Sequence, residues 1–295
     1  MTTPSTTTAV RPSGQADQSA EDRISRLRAA AHRIRHNALQ MGEVQGQGYI
    51  GQALGVADIL AVAYTDQLRH RPADPHWPDR DRFLLSIGHY AIALYAALAE
   101  AGTIPVDELD SYGSDESRLP MSSMASYTPG VEISGGSLGH GLTVATGMAL
   151  GLRHVGNPAR VFNLLSDGEL DEGSTWEAAM ACAHHGLDNV TAIVDVNALQ
   201  ADGPTAGVLR TEPVVDKWRA FGWHATRVDG NDLAALVQAF DAAAAHTGSP
   251  SVIVCDTRIG CGVPLLMERE RAHFMRVEAH EWQIARDQLD ESLAR

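Results

Sequence analysis

The stretch that decides the fold runs from Arg160 to Asn197 and reads RVFNLLSDGELDEGSTWEAAMACAHHGLDNVTAIVDVN. It opens and closes on short, nearly continuous apolar runs, RVFNLL and VTAIVD, which are typical of parallel strands covered on both faces. Between them, Ser174 and Glu177 have the spacing of a helix capping box, and Gly186 supplies a left-handed helix stop. The stretch therefore predicts one strand–helix–strand unit.

The same alternation continues on both sides of this unit. DRFLLS (81–86) precedes the helical pattern GHYAIALYAALAEAG, and GWHATRV (222–228) and SVIVCDT (251–257) add two more strands. A helix capped by Asn231 or Asp232 joins the last two. The order predicts an α/β fold with a mostly parallel sheet flanked by helices on both faces.

The N-terminal part of the chain has a different composition. Residues 1–20 are rich in Thr, Ser, Pro and Gln, and we expect them to form a flexible tail. An amphipathic helix follows and stops at Gly42, because apolar residues recur there at helical spacing. The predicted organisation is a tail over 1–20 and one domain over 21–295.

Composition excludes several classes of function. The chain has 295 residues with 37 acidic and 23 basic side chains, and it has no Lys/Arg cluster of the kind that binds nucleic acid. It has neither an apolar run of about eighteen residues nor the apolar core of a signal peptide, which predicts a cytoplasmic protein without membrane spans. Cys182, Cys255 and Cys261 have no metal-like spacing, and we expect reduced packing residues; Met180 is likewise expected in the core.

Two segments carry candidate chemistry. Asp167 and Asn197 follow the carboxyl ends of the two strands in the opening stretch, the edge where open α/β sheets bind ligands. A carboxylate and an amide oxygen suit Mg²⁺, although Asp, Gly and Asn are also ordinary turn residues. The loop SGGSLGHG and the helix after it (134–152) either cradle phosphate on backbone N–H groups or simply allow close packing.

With these segments in view, the chain resembles the N-terminal, diphosphate-binding half of the transketolase family. SDGELDEGSTWEAAMACAHHGLDNVTAIVDVNALQADG resembles the family's thiamine-diphosphate signature. DRFLLSIGHYAIALYAALAEAG, TPGVEISGGSLGHGLTVATGMALGL and FGWHATRVDGNDLAAL follow the family's order and spacing, so the resemblance covers residues 22–285. It implies a thiamine-diphosphate-binding fold of the diphosphate (PP) type.

The resemblance also implies roles for individual residues. Asp167, Asn197 and the backbone carbonyl of Leu199 would bind Mg²⁺, and Gly168 would lie against the diphosphate. His89 would reach the diphosphate and substrate side of the cofactor. His89 and His273 are the candidate catalytic residues for proton transfer and oxyanion contact, with His280 as a rival for His273. The remaining cofactor-binding candidates are Gly136, Ser137, Leu138 and Glu172; for Glu177, which also matches the family, we favour the capping role.

Two departures from the family lie on the substrate side. Tyr49 stands where transketolases have a histidine that contacts the sugar near the reacting carbon, and LPMSSMASYTPGVE lacks the usual histidine before PGVE. Tyrosine retains a hydroxyl but not the proton chemistry of imidazole near pH 7. Tyr49 and His140 are the candidate substrate residues, with His140 undecided between lining the site and supporting it. The sugar or sugar-phosphate substrate is left open.

The resemblance ends where the second half of a transketolase would begin. It implies a split enzyme whose separate C-terminal subunit supplies the pyrimidine-binding half in an α2β2 assembly. Such an enzyme would transfer a two-carbon ketol unit from a ketose to an aldose. The alternatives are the α-type half of a 2-oxoacid dehydrogenase or another acyl-transferring thiamine enzyme, and a non-catalytic regulatory subunit.

Overall fold

The computed structural model describes residues 13–270 and 272–293. The strands are β1 (Gln47–Gly48), β2 (Arg82–Leu85), β3 (Val161–Ser166), β4 (Val190–Val196), β5 (Leu199–Gln200), β6 (Gly203–Pro204), β7 (His224–Asp229), β8 (Ser251–Asp256) and β9 (Met275–Arg276). The helices are α1 (Ser13–Gln45), α2 (Ile50–Gly55), α3 (Ala57–Val62), α4 (Ala91–Glu100), α5 (His140–His154), α6 (Gly173–His184), α7 (Thr205–Val208), α8 (Val214–Ala220), α9 (Leu233–Ala245), α10 (Pro264–Met267) and α11 (Glu281–Leu293).

Five strands form one parallel sheet in the order β2-β3-β4-β8-β7. These are the five strands that the apolar runs predict. β3 and β4 are direct neighbours, and Ser166 lies opposite Asp195 in their register. The carboxyl ends of the two strands in the opening stretch therefore lie side by side.

Helices cover both faces of the sheet, as predicted. Side chains along a strand alternate between faces. Phe162 and Leu164 of β3 join the core under α1, α3, α4 and α9. Val161 and Leu165 join a second core under α5, α6 and α8. β2, β3, β4 and β8 are buried along almost their whole length, which explains their nearly continuous apolar sequences, whereas the edge strand β7 is partly exposed.

Two predictions about individual residues of α6 are wrong. The helix begins at Gly173, so Ser174 lies inside its first turn, where its hydroxyl donates to the carbonyl of Gly139 at 3.1 Å instead of capping the helix. Glu177 has an exposed side chain and no capping role. Met180 is 51% exposed, because it lies on the side of α6 that faces away from the sheet. Cys182, two residues on, is fully buried as expected.

The other boundaries refine the predictions. α1 starts at Ser13, inside the predicted tail, and continues past Gly42 to Gln45. Residues 1–12 of that tail lie outside the described residues, and the division into tail and domain stays a prediction. Asp232 is the residue that caps α9, since its side chain accepts from the backbone N–H groups of Ala234 and Ala235. Across the described part of the chain, no helix combines the length and apolar character needed to cross a membrane.

Candidate active site

Asp167 lies directly after β3, in a 3₁₀ turn over Asp167–Asp171, and is 1% exposed. Its Oδ2 accepts hydrogen bonds from the Ala198 backbone N–H at 3.1 Å and from the Thr205 hydroxyl at 2.8 Å. Burial, together with the nearby charge of Asp195, raises the pKa of this carboxyl group to about 7. A bound cation would favour the ionised form, so the environment suits a metal ligand.

Asn197 lies beyond β4 with its amide oriented by buried partners. Its Nδ2 donates to Oδ2 of Asp195 at 2.7 Å and to the Tyr90 hydroxyl at 2.9 Å. The amide oxygen is thereby turned away from Asp195, and it accepts from the Leu199 N–H at 3.0 Å. Because the nitrogen is fully used on the protein side, the oxygen is the atom free to contact a metal ion.

The turn after β4 is linked to Asp167 through Ala198, the residue that follows Asn197. Ala198 has a φ of 61°, a left-handed backbone conformation that is uncommon outside glycine and that concentrates at functional sites. This conformation directs its N–H to Asp167 and leads the chain into the β5–β6 hairpin, which begins at Leu199.

Asp167 lies on the turn after β3, and the other two predicted metal ligands, Asn197 and Leu199, lie on the turn after β4. The oxygen donors of these residues are of the kind that Mg²⁺ prefers. Gly168 is free to approach a ligand. The atoms nearest to a Cβ built on this residue would be the Ser166 hydroxyl at 3.6 Å and the Gln200 side chain at 3.7 Å, which are ordinary van der Waals distances. Since no protein atom requires glycine here, the small residue leaves room beside Asp167 for a diphosphate group.

The glycine-rich loop packs against the end of β2. A Cβ on Gly88 would lie 2.2 Å from the carbonyl carbon of Gly135, so the two backbones approach too closely for any side chain. Gly136 and Ser137 are exposed on this loop, and Leu138 packs partly against the core. The loop thus presents two of its predicted cofactor residues on the surface while the third anchors it.

Glu169 is a buried carboxylate of this site for which the sequence predicts no role. It is 1% exposed, and its Oε1 accepts from the Gly139 backbone N–H at 2.8 Å and from the Ser86 hydroxyl. Its pKa is raised to about 7 by burial. The S-x-x-E pattern that it forms with Ser166 is the true capping box of this region, and it could have been read from the sequence. Glu169 thus connects the start of α5 to the turn after β3 that carries Asp167.

Tyr49, His89 and His273 meet in one aromatic cluster. The ring of Tyr49 lies 4.4 Å from that of His89 and 5.4 Å from that of His273, and the two histidine rings are 5.8 Å apart. Pairing of β1 with β9 brings these distant segments together. Burial lowers the pKa of His89 to about 4, with a further contribution from His273. His280 is exposed at the start of α11, so the structure brings His273, and not its rival, to this cluster.

The aromatic cluster borders a cleft of about 600 Å³. Tyr49, His273 and Phe274 line one side of the cleft, and Leu199 with the β5–β6 hairpin lines the other. Leu199 therefore connects the turn after β4, which carries Asn197, to the cleft. The Gln52 amide holds His273 in place by donating to its carbonyl at 2.7 Å.

Two of the predicted site residues, His140 and Glu172, do not line the cleft beside Tyr49. His140 is the first residue of α5, has an exposed side chain and lines a groove between α5 and α6 with Glu177. The residues lining that groove and those lining the Tyr49 cleft do not overlap. Glu172 is exposed at the start of α6, close to Gly139.

The fold and the site define a class, α/β proteins whose candidate site lies at the carboxyl edge of a parallel sheet. Residues 27–292 match the family model "Transketolase, thiamine diphosphate binding domain". A putative uncharacterized transketolase family protein from Sinorhizobium fredii is 64% identical over 253 residues, covering 85% of this chain and 91% of the relative. The chain therefore belongs to the transketolase family.

Two further relatives show which part of a transketolase the chain represents. A 6-deoxy-6-sulfo-D-fructose transketolase subunit from Clostridium sp. is 37% identical over 264 residues, covering 90% of this chain and 96% of the subunit. The solved transketolase from Leishmania mexicana superposes with a TM-score of 0.80 at 29% identity, over 91% of this chain but only 45% of that one. The chain thus corresponds to the N-terminal half of a transketolase, and these relatives favour that class over the 2-oxoacid dehydrogenase alternative.

Proposed function

We propose that this chain is the N-terminal subunit of a split transketolase, a transferase that becomes active when a C-terminal subunit joins it. The observation that supports the proposal is how much of this chain and how much of each relative the match includes. The match includes nearly the whole chain but less than half of the solved transketolase, whereas the sulfo-sugar transketolase subunit has almost the same extent as this chain. The missing half would supply the pyrimidine-binding domain, and two copies of each subunit would form an α2β2 assembly.

Thiamine diphosphate with Mg²⁺ is the proposed cofactor. Asp167, Asn197 and the Leu199 carbonyl would hold the metal ion, and Gly168 and the exposed loop residues Gly136 and Ser137 would lie along the cofactor. When bound, thiamine diphosphate supplies the carbon nucleophile that makes cleavage next to a ketone carbonyl possible. The protein contributes position, because Glu169 and the turn at Ala198 fix the two loops relative to each other.

His89 and His273 are the proposed proton-handling residues. Their mutual proximity and burial keep His89 uncharged at physiological pH, since its pKa is lowered to about 4. A neutral imidazole can accept a proton from a sugar hydroxyl or donate a hydrogen bond to a developing oxyanion. The His273 ring lines the cleft, and the His89 ring lies 5.8 Å from it and 4.4 Å from the ring of Tyr49, which also lines the cleft. We propose that both imidazoles act on one substrate.

The proposed reaction is transfer of a two-carbon ketol unit from a ketose to an aldose, with a sugar that differs from the usual phosphorylated substrates. Tyr49 supports this proposal, because it replaces a family histidine and packs directly on His89. A relative whose name specifies a sulfo-sugar supports it independently. We also propose a cytoplasmic location within carbohydrate metabolism, where the chain's three free cysteines would stay reduced.

The test is reconstitution. The purified chain, supplied with thiamine diphosphate and Mg²⁺, is assayed for ketol transfer over a panel of ketose donors, alone and with a candidate C-terminal subunit. We expect transfer only in the reconstituted pair, and the Asp167→Ala variant should abolish it along with metal-dependent cofactor binding. Robust turnover by the chain alone would refute the split-enzyme proposal, while cofactor binding without activity in the pair would favour a regulatory subunit.

A further inference from the structure

A cluster of metal-binding side chains lies away from the candidate active site, between α1 and α11. His32 and His36 are four residues apart on α1 and therefore share one face of the helix. Asp290 on α11 points at both imidazoles. Its Oδ1 is 3.1 Å from Nε2 of His32 and 2.7 Å from Nε2 of His36. One ligand atom from each residue lies within 4.8 Å of the other two.

We propose that His32, His36 and Asp290 form a binding site for a divalent transition-metal ion of the zinc type. Two imidazole nitrogens and one carboxylate oxygen are ligands that Zn²⁺ accepts, whereas Mg²⁺ prefers oxygen donors alone. In a tetrahedral zinc site with ligand distances of about 2.0–2.2 Å, neighbouring ligand atoms are roughly 3.3 Å apart. The two distances to Asp290 approach that value, so a small opening of the cluster would admit the ion.

Access to the site is also favourable. The His32 side chain is 15% exposed, the His36 side chain 31% and the Asp290 side chain 61%. His32 also borders a cleft of about 430 Å³ that includes Ser292 and Cys261. Water or a small ligand can therefore complete the coordination of an ion held by three protein ligands, and the ion can enter without unfolding the chain.

The consequence of binding would be a link between two helices that are distant in sequence. α1 and α11 already pack together through buried Leu289 and Ala285 and through the ion pair between Arg286 and Glu43. A metal ion that binds the folded arrangement but not the unfolded chain would stabilise the folded state by mass action. Zinc would thus strengthen the attachment of α11 independently of the cofactor.

The experiment uses the full chain after metal removal, titrated with Zn²⁺ by calorimetry in excess Mg²⁺, with thermal unfolding and Co²⁺ absorption as second readouts. We expect one Zn²⁺ per chain and a higher melting temperature. His36→Ala and Asp290→Asn should each weaken binding by more than about 100-fold, which exceeds the effect typical of outer-shell changes. His154→Ala, which removes an exposed helical histidine on α5, should bind like the wild type.

Asp290→Asn is the decisive variant, because the side chain is largely exposed and its replacement by an isosteric amide should leave the fold intact. If the wild type takes up no Zn²⁺, or if both ligand variants bind it with wild-type affinity, the three residues form a hydrogen-bonded cluster only and the proposal is wrong.

Discussion

Replacement of Asp167 by asparagine should stabilise the metal-free protein while removing the proposed metal site. Both structural hydrogen bonds to this side chain end on the same oxygen, Oδ2, which accepts from Ala198 and Thr205. The amide oxygen of asparagine can accept the same two bonds. The substitution therefore removes a buried negative charge with little loss of bonding on the protein side.

The magnitude follows from the pKa of Asp167, which is raised from 3.8 to about 7. Below about pH 4 the group is protonated in both the folded and the unfolded states and costs nothing. Between about pH 4 and 7 the unfolded state loses the proton first, so the free energy of unfolding falls as pH rises, and above pH 7 the loss is complete. A difference of about three pKa units corresponds to about 4 kcal/mol. The Asp167→Asn variant cannot ionise at this position and so does not lose this unfolding free energy.

The assay is urea denaturation of wild type and Asp167→Asn in a chelator, at several pH values from 4 to 8. We expect the variant to gain up to about 4 kcal/mol relative to wild type as pH rises, and calorimetry should show that it no longer binds Mg²⁺ with thiamine diphosphate. Thr205→Val is the matched control, since it removes one hydrogen bond but keeps the carboxylate, and it should destabilise the protein while retaining metal binding. A stability difference between Asp167→Asn and wild type that is independent of pH would refute the reasoning.

Three further perturbations test the glycine loop, the buried glutamate and the aromatic cluster. Gly88→Ala would place a methyl group 2.2 Å from the carbonyl carbon of Gly135, so calorimetry should show weaker binding of thiamine diphosphate. Gly147→Ala is the control, because its Cβ would meet no atom within 4 Å, and it should bind the cofactor normally. Equal affinities of the two variants would contradict the steric argument. Glu169→Ala should lose about 2–4 kcal/mol in urea denaturation because it leaves two buried donors unpaired, whereas Glu169→Gln keeps one acceptor oxygen and should lose less. Tyr49→Phe should lower kcat/KM of the reconstituted enzyme for its sugar without changing cofactor affinity, and a loss of cofactor affinity would contradict a substrate role.

Most strands of the sheet could be predicted because a strand that is buried on both faces needs apolar residues along almost its whole length. Four of the five strands, β2, β3, β4 and β8, carry a short, nearly continuous apolar run, whereas the partly exposed β7 carries polar residues as well. The carboxyl-edge positions of Asp167 and Asn197 followed from those strands. Their proximity followed from the length of the connection between them, which suits neighbouring parallel strands.

Side-chain placement on the helices was less predictable. Met180 and Cys182 are both apolar and lie two residues apart, yet one is exposed and the other buried, because only the packing of α6 on the sheet fixes which side of the helix faces inward. The capping pattern was assigned to Ser174 and Glu177, although Ser166 and Glu169 carry the same spacing and form the observed box. Spacing alone cannot distinguish which of two neighbouring capping patterns forms the box.

The sequence by itself determined the α/β architecture, the carboxyl-edge donors and the likeness to the first half of a transketolase, because these depend on local composition and on short-range order. Tertiary structure alone decided which distant residues meet. Pairing of β1 with β9 selects His273 over His280 and sets it beside Tyr49 and His89, and packing of α1 on α11 assembles His32, His36 and Asp290. The β1–β9 pairing and the α1–α11 packing each join segments more than two hundred residues apart, and no local pattern in the chain predicts them.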